Sequence, residues 1–278
     1  MRYVERPVPR RLEPFVECVW TVWARASTRA PERIVPDGCP EIIVHLGDPF
    51  ARRIDARWRP QPRVFLAGTL TRPWMVRSGR RVLTVGLRFR AAGFPALFGR
   101  SLAKTADREI PLASLLGAAA RRDLVTRLVE ARPGQRRLDA AIAWLDRHGK
   151  PAPVAALSMS ATAMIVRARG QLRVDDIAAK LGCTRRQLER SFARDLGLGP
   201  KVYARIVRLN TVLARLDECE RPAAVDVALE AGYFDQAHLL RDFRLLAGRS
   251  PRQGRAEDGA MARNFTRPER LRLLFLGD

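Results

Sequence analysis

Cysteine is sparse in this 278-residue chain, and what there is stands apart. Cys18, Cys39, Cys183 and Cys219 form no C-x-x-C pair and have no histidines at zinc spacing, so neither a disulfide framework nor a metal site is expected. Histidine is scarcer still: His45, His148 and His238 are the whole supply. The chain also lacks a G-x-S-x-G turn, a phosphate-cradling glycine loop and an H-E-x-x-H pair, which argues against hydrolase, nucleotide-binding and metalloprotease chemistry. No cofactor is expected. No apolar run approaches the roughly 18 residues of a membrane span, and the opening MRYVERPVPRRLEPF lacks the apolar centre of a signal peptide. These absences predict a soluble, cytoplasmic protein with no membrane partner.

Lysine is almost absent too, confined to Lys104, Lys150, Lys180 and Lys201, so arginine carries nearly all of the formal charge of +22. Such a charge suits a polyanion such as nucleic acid. It does not locate one: residues 1–105 hold 20 basic and 8 acidic side chains, whereas 164–254 hold 17 and 11. The excess sits mainly in the N-terminal half.

The length allows two ordinary domains. Up to Leu112 the chain reads as strand and turn: EIIVHLG, RVFLAG and RVLTVGLRF are short β-branched or aromatic runs bounded by Pro, Gly and Asp. We assign 1–112 to a β-rich sensing or dimerisation domain. The pattern is helical over 113–150, where Leu138, Ile142 and Leu145 share a face and Gly149 stops the second helix. The Pro- and Ala-rich stretch 151–158 reads as a linker, followed by a capped helix from Ser158 or Ser160 to Arg169. Residues 159–254 read as helix, short turn, helix, twice over, and 255–278 as a tail. The expected fold is α+β, a β-rich domain with helices followed by an all-α domain.

The all-α part repeats itself. IAAKLGCTRRQLERSFARDLGLGP, from Ile177, and VALEAGYFDQAHLLRDFRLLAGRSP, from Val227, share seven identities. Ala178 and Gly182 recur fifty positions on as Ala228 and Gly232; Leu188, Arg190, Phe192, Gly197 and Pro200 recur fifty-one on as Leu239, Arg241, Phe243, Gly248 and Pro251. The second copy thus carries one extra residue in its turn. In the first, Asp175 and Asp176 open a short helix with Ile177, Ala178 and Leu181 inward. Gly182 and Cys183 make the turn, Thr184 caps the next helix, Leu188 and Phe192 face inward, and Arg185, Arg186, Glu189 and Arg190 face out. The second has Val227 and Ala228 on its supporting helix, Gly232 and Tyr233 at the turn and Asp235 as cap. Its Leu239 and Phe243 face inward, its Gln236, Leu240 and Arg241 outward. These are the requirements of a helix-turn-helix, whose second helix enters the DNA major groove. Pro200 opens a long helix between the copies, through KVYARIVRLNTVLARLDE, long enough to set two such heads about one DNA turn apart.

Thr184, Arg186, Leu188, Arg190, Phe192, Gly197, Pro200, Tyr203, Arg208 and Leu209 resemble the AraC/XylS family of bacterial transcriptional regulators. Ala228, Gly232, Tyr233, Asp235, His238, Leu239, Arg241, Phe243, Gly248, Ser250 and Pro251 extend the likeness. It covers roughly residues 160–252. It implies sequence-specific binding of double-stranded promoter DNA by both motifs through Thr184, Arg185, Arg186, Gln187, Glu189, Arg190, Asp235, Gln236, His238, Leu240 and Arg241. RNA polymerase is then an implied partner, the location is nucleoid-associated, and the upstream domain senses a small-molecule effector or forms a homodimer. IVPDGCPEIIVHLG, FLAGTL and VGLRFRAAGFPALFG further resemble an uncharacterised, cupin-like upstream domain found joined to this module. Two residues depart from the family pattern. Leu240 replaces a small polar residue, so the second head reads less sequence or touches a thymine methyl. Glu189 needs a cytosine amino group, Arg185 or Arg186 as a partner on a face that meets phosphate.

A related module is fused to alkyl-transfer repair domains, which makes a methyl-accepting cysteine, Cys39, the alternative; a helical interaction module without DNA binding is another. Cys39 has no adjacent base in sequence to activate it, and we read the chain as not an enzyme. Asp37, Glu41, His45 and Arg88 are the polar residues best placed for an effector pocket, although the reading we favour is that Pro36, Asp37 and Gly38 simply make a tight turn and His45 ends a strand. Trp20, Trp23 and Trp74 are core residues or pocket walls.

Overall fold

The computed structural model describes residues 1–25, 30–132, 134–216 and 231–250. Two antiparallel sheets build the N-terminal half. The larger has the order β1 (Arg2–Pro7), β2 (Val16–Ala24), β9 (Val82–Phe89), β4 (Glu41–His45), β7 (Val64–Ala67) and β10 (Glu109–Pro111). The smaller has the order β3 (Glu32–Ile34), β8 (Trp74–Arg77), β5 (Ala51–Ile54) and β6 (Arg57–Pro60). The three runs legible as strands form β4, β7 and β9, side by side.

Alternation along these strands divides two cores. Ile42, Val44, Val64, Leu66, Val85, Leu87 and Phe89 point to one face, where α1 (Gly93–Phe98), α2 (Leu112–Glu130) and α3 (Gln135–His148) cover them. Their neighbours Ile43 and Ala67, with Trp20 and Val22 of β2, meet Trp74 and Val76 of the smaller sheet. At the centre Trp20 lies opposite Gly86, whose absent side chain makes room for the indole: a Cβ there would stand 2.0 Å from it. In α3 the inner row is Leu138, Ala141, Trp144 and Leu145, and Ile142, expected inward, is half-buried. Trp144 Nε1 donates to Ala120 O of α2 at 3.0 Å.

Residues 151–158, read as a linker, are folded. Pro153–Ala155 is a 3-10 turn and α4 (Ala156–Arg167) starts before the expected Ser158. Proline at a first helical position starts the turn rather than breaking it, and the small Ala155 and Ser158 are fully buried. The Ser158 hydroxyl donates to Asp195 Oδ2 at 2.5 Å.

The C-terminal half continues with α5 (Val174–Lys180), α6 (Arg185–Asp195), α7 (Pro200–Leu216) and α8 (Gln236–Asp242), the last running into a π-turn, Phe243–Ala247. Val227, Ala228, Cys219, Pro251 and the tail 255–278, all used above, lie outside the described residues. The halves share a core, in which Val35, Ala91 and Ala92 pack with Tyr203, Ala204 and Val207. Asn210 Nδ2 donates to Pro36 O at 2.9 Å, and Leu102 N to Arg194 O at 2.8 Å. Gly38 presses its backbone against α7. Its φ of +84° and the Tyr203 ring, 2.7 Å from where a Cβ would be, require glycine there.

Candidate nucleic-acid interface and inter-sheet cavity

In the first motif Ile177 and Ala178 of α5 are buried, Gly182 turns the chain at φ +63°, and Thr184 opens α6. The Thr184 hydroxyl accepts from Gln187 N at 3.2 Å while Gln187 Oε1 accepts from Thr184 N at 2.7 Å, a reciprocal capping box. Both side chains assigned to DNA at the helix start are therefore engaged in ending it. Leu188 and Phe192 are fully buried, four residues apart, which turns Arg186 and Arg190 into solvent. Arg185 Nε meets Glu189 Oε1 at 2.9 Å and its Nη1 meets Asp175 Oδ2 at 3.4 Å. Glu189 thus has its cation within the helix. Arg186 and Arg190 have no ion pair among the described residues.

The second motif follows the same plan. The Asp235 carboxylate accepts from His238 N at 2.6 Å, Leu239 and Phe243 are buried, and Gln236, Ala237 and Arg241 are exposed. His238 packs edge-on against Tyr233, ring centroids 5.1 Å apart, and so is turned toward the motif's own turn. Buried Asp242 accepts from Arg205 Nη2 of α7 at 2.6 Å, tying the head to the spacer helix. The 51-residue offset puts Arg185 opposite Gln236, Arg186 opposite Ala237 and Glu189 opposite Leu240. Pattern reading from the sequence overlooked Ala237 and, three residues before it, Phe234, which is 89% exposed. The offset alone could have found the first.

Asp37, Glu41, His45 and Arg88, far apart in sequence, line one cavity between the sheets, with Trp20, Phe50, Phe65 and Trp74 among its walls. Trp23 lies outside it, in a separate cleft. About 80 Å³ is open to the centres of water molecules, room for several waters or a small ligand. Register explains the convergence: Glu41 lies opposite Arg88 and His45 opposite Thr84 on β4 and β9. Arg88, 3% exposed, bonds Glu41 and, at 2.5 Å, Asp37. Burial pushes the Glu41 carboxyl up to about 7, against the pull of Arg88. Burial alone would lower Arg88, but Glu41, Asp37 and Glu17 carry it above its ordinary value. At the other end Thr84 donates to His45 Nδ1 at 3.0 Å and His45 Nε2 donates to Gln61 Oε1 at 3.3 Å, since Gln61 Nε2 is given to Glu109 at 2.9 Å. Burial brings His45 down to about 4.

Asp37 does two things at once, accepting from Cys39 N at 2.9 Å to close its turn and reaching Arg88. With Cys39 it also lines a second cavity, of about 420 Å³, between the halves, beside Glu17, Arg90, Arg167 and Tyr203. Burial, then Asp37 and Glu17, push the Cys39 thiol well up. That is the reverse of an activated nucleophile.

A family model described as a helix-turn-helix domain matches residues 177–257, and one described as a domain of unknown function, DUF6597, matches residues 5–111. No curated protein is similar in sequence. A transcriptional regulator from Chromobacterium violaceum, described by its AraC-type DNA-binding domain, is 30% identical over 37% of this chain and 96% of its own, with a TM-score of 0.34. ToxT from Vibrio cholerae is 10% identical over 84% of this chain and 97% of its own, TM-score 0.45. The AraC-like transcriptional activator CuxR is 14% identical over 74% and 85%, TM-score 0.26.

Proposed function

Because the chain belongs, through its C-terminal helical domain, to the transcriptional regulators with an AraC-type DNA-binding domain, we propose that it binds promoter DNA with two reading heads under the control of its N-terminal β-rich half. The observation that carries this reading is the first head: a capped helix, fixed by buried Leu188 and Phe192, that holds Arg186 and Arg190 exposed and unpaired one turn apart. An arginine so presented can donate two hydrogen bonds to guanine O6 and N7, contributing about 1–3 kcal/mol of discrimination per contact. Arg185, neutralised by Glu189 and Asp175, serves the helix instead. The second head, held by Arg205 and Asp242, takes the next groove. A small effector sits in the cavity between the two sheets, against the Arg88, Glu41 and Asp37 cluster, and the Asp37 turn relays its presence to Tyr203 and Asn210 of α7. RNA polymerase and a second copy of the chain are the further partners.

Selection from random duplex DNA tests the base assignment. Arg186→Ala and Arg190→Ala should each relax the preference at one position of the recovered motif. Uniform weakening with an unchanged motif would make both arginines phosphate ligands. Mass analysis of small molecules released from the purified protein tests the cavity.

A further inference from the structure

The two heads present different chemistry outward. Where the first has Arg186 and Glu189, the offset of 51 gives the second Ala237 and Leu240. Buried Leu239 and Phe243 turn Ala237 outward and leave Leu240 on its flank, half-buried. Three residues before Ala237 stands Phe234, the extra residue of the second turn, 89% exposed. Ala237 and Leu240 follow at three-residue spacing in α8, the spacing that keeps side chains on one helical face, and Phe234 stands just before the Asp235 cap, at the exposed start of the same head. Single exposed apolar residues need no explanation. Three on one head, with Arg241 and Arg244 exposed just beyond them, do, because exposed cations suit a polyanion and the apolar side chains beside them must meet something apolar on it.

In the major groove of B-DNA one base offers an apolar group at its edge: thymine, through its C5-methyl. We propose that the second head is a thymine reader, in which Phe234, Ala237 and Leu240 bury thymine methyl groups while Arg241 and Arg244 hold phosphate. The inference rests on the reading of α8 as a DNA-recognition helix. It gives the two heads complementary preferences, guanine under α6 and thymine under α8.

Deoxyuridine, which differs from thymidine by that methyl alone, is the probe. A site recovered by selection with the full chain is resynthesised with uracil for thymine, separately in the segment protected by each head. Uracil under α8 should weaken binding about fourfold per methyl, the ratio that burying one methyl-sized group gives. Uracil under α6 should not. In the full-length Phe234→Ala, Leu240→Ser variant, whose first side chain is too exposed to matter for folding, the two versions should bind alike. Equal loss at both segments, no loss at either, or a variant that keeps the parent's preference would overturn the proposal. A selection that recovers no motif would remove the DNA-reading premise and the proposal with it.

Discussion

Glu41 and His45 share a strand and a cavity wall, yet their protons report opposite pH dependences. For Glu41, raised from 4.5 to about 7, the unfolded chain loses the proton first, so stability falls as pH rises through that window. For His45, lowered from 6.5 to about 4, the unfolded chain gains the proton first, so stability rises as pH rises between 4 and 6.5. Each amounts to about 3 kcal/mol, and the two largely cancel. Urea unfolding between pH 4 and 8 should show the cancellation broken in opposite directions: Glu41→Gln becomes more stable with rising pH, His45→Gln less. Parallel profiles in the two variants would count against these assignments. That Glu41 and His45 share a face was readable from the alternation of EIIVH, while Asp37 and Arg88 were named by residue type alone, Arg88 being brought to them by the pairing of β4 with β9. Glu17, Gln61 and Thr84, which complete the two clusters, were not readable, because pairing register is decided by contacts distant in sequence.

Among elements, α6 was the most legible, since cap, buried spacing and basic face agree within eleven residues. Replacing Thr184 with Ala removes one arm of the capping box and should cost about 1 kcal/mol of stability, measured by thermal unfolding, while leaving the recovered DNA motif intact. A changed motif would return Thr184 to the DNA contacts. The strands β1, β2, β3, β5, β6, β8 and β10 escaped notice: several are three or four residues long, too short to display a period, and β2, though nine long, is buried on both faces and so shows no alternation. Helix α2 hides a break at Gly117, whose φ of 86° and ψ of 160° separate its first turn from the rest. The 153–158 segment misled because Pro and Ala signal a linker only when nothing packs on them.

For the whole molecule, the pattern change near Pro153 suggests two modules, but the core they share qualifies it. A fragment from Pro153 keeps α4 to α8 and loses the cover that Val35, Ala91 and Ala92 give to Tyr203, Ala204 and Val207. It should bind DNA with a log affinity that falls against log salt by about 0.9 for each phosphate contacted, and unfold at a lower temperature than the same helices in the full chain. The full chain should unfold in one calorimetric transition. Gly38→Val, which combines strained backbone with a clash against Tyr203, should split it in two. A fragment as stable as the parent would show that the contact between halves contributes nothing.

Gly86 and Trp20 constrain the history of the sequence as well as its present form. No side chain fits at 86 while the indole fills the space opposite, and overpacking a core costs about 1–3 kcal/mol. Trimming Trp20 to Leu leaves a void that a methyl at 86 partly fills. The two substitutions are therefore epistatic: Gly86→Ala should cost more in the parent than after Trp20→Leu, so in lineages descending from this protein what position 86 tolerates depends on what stands at position 20.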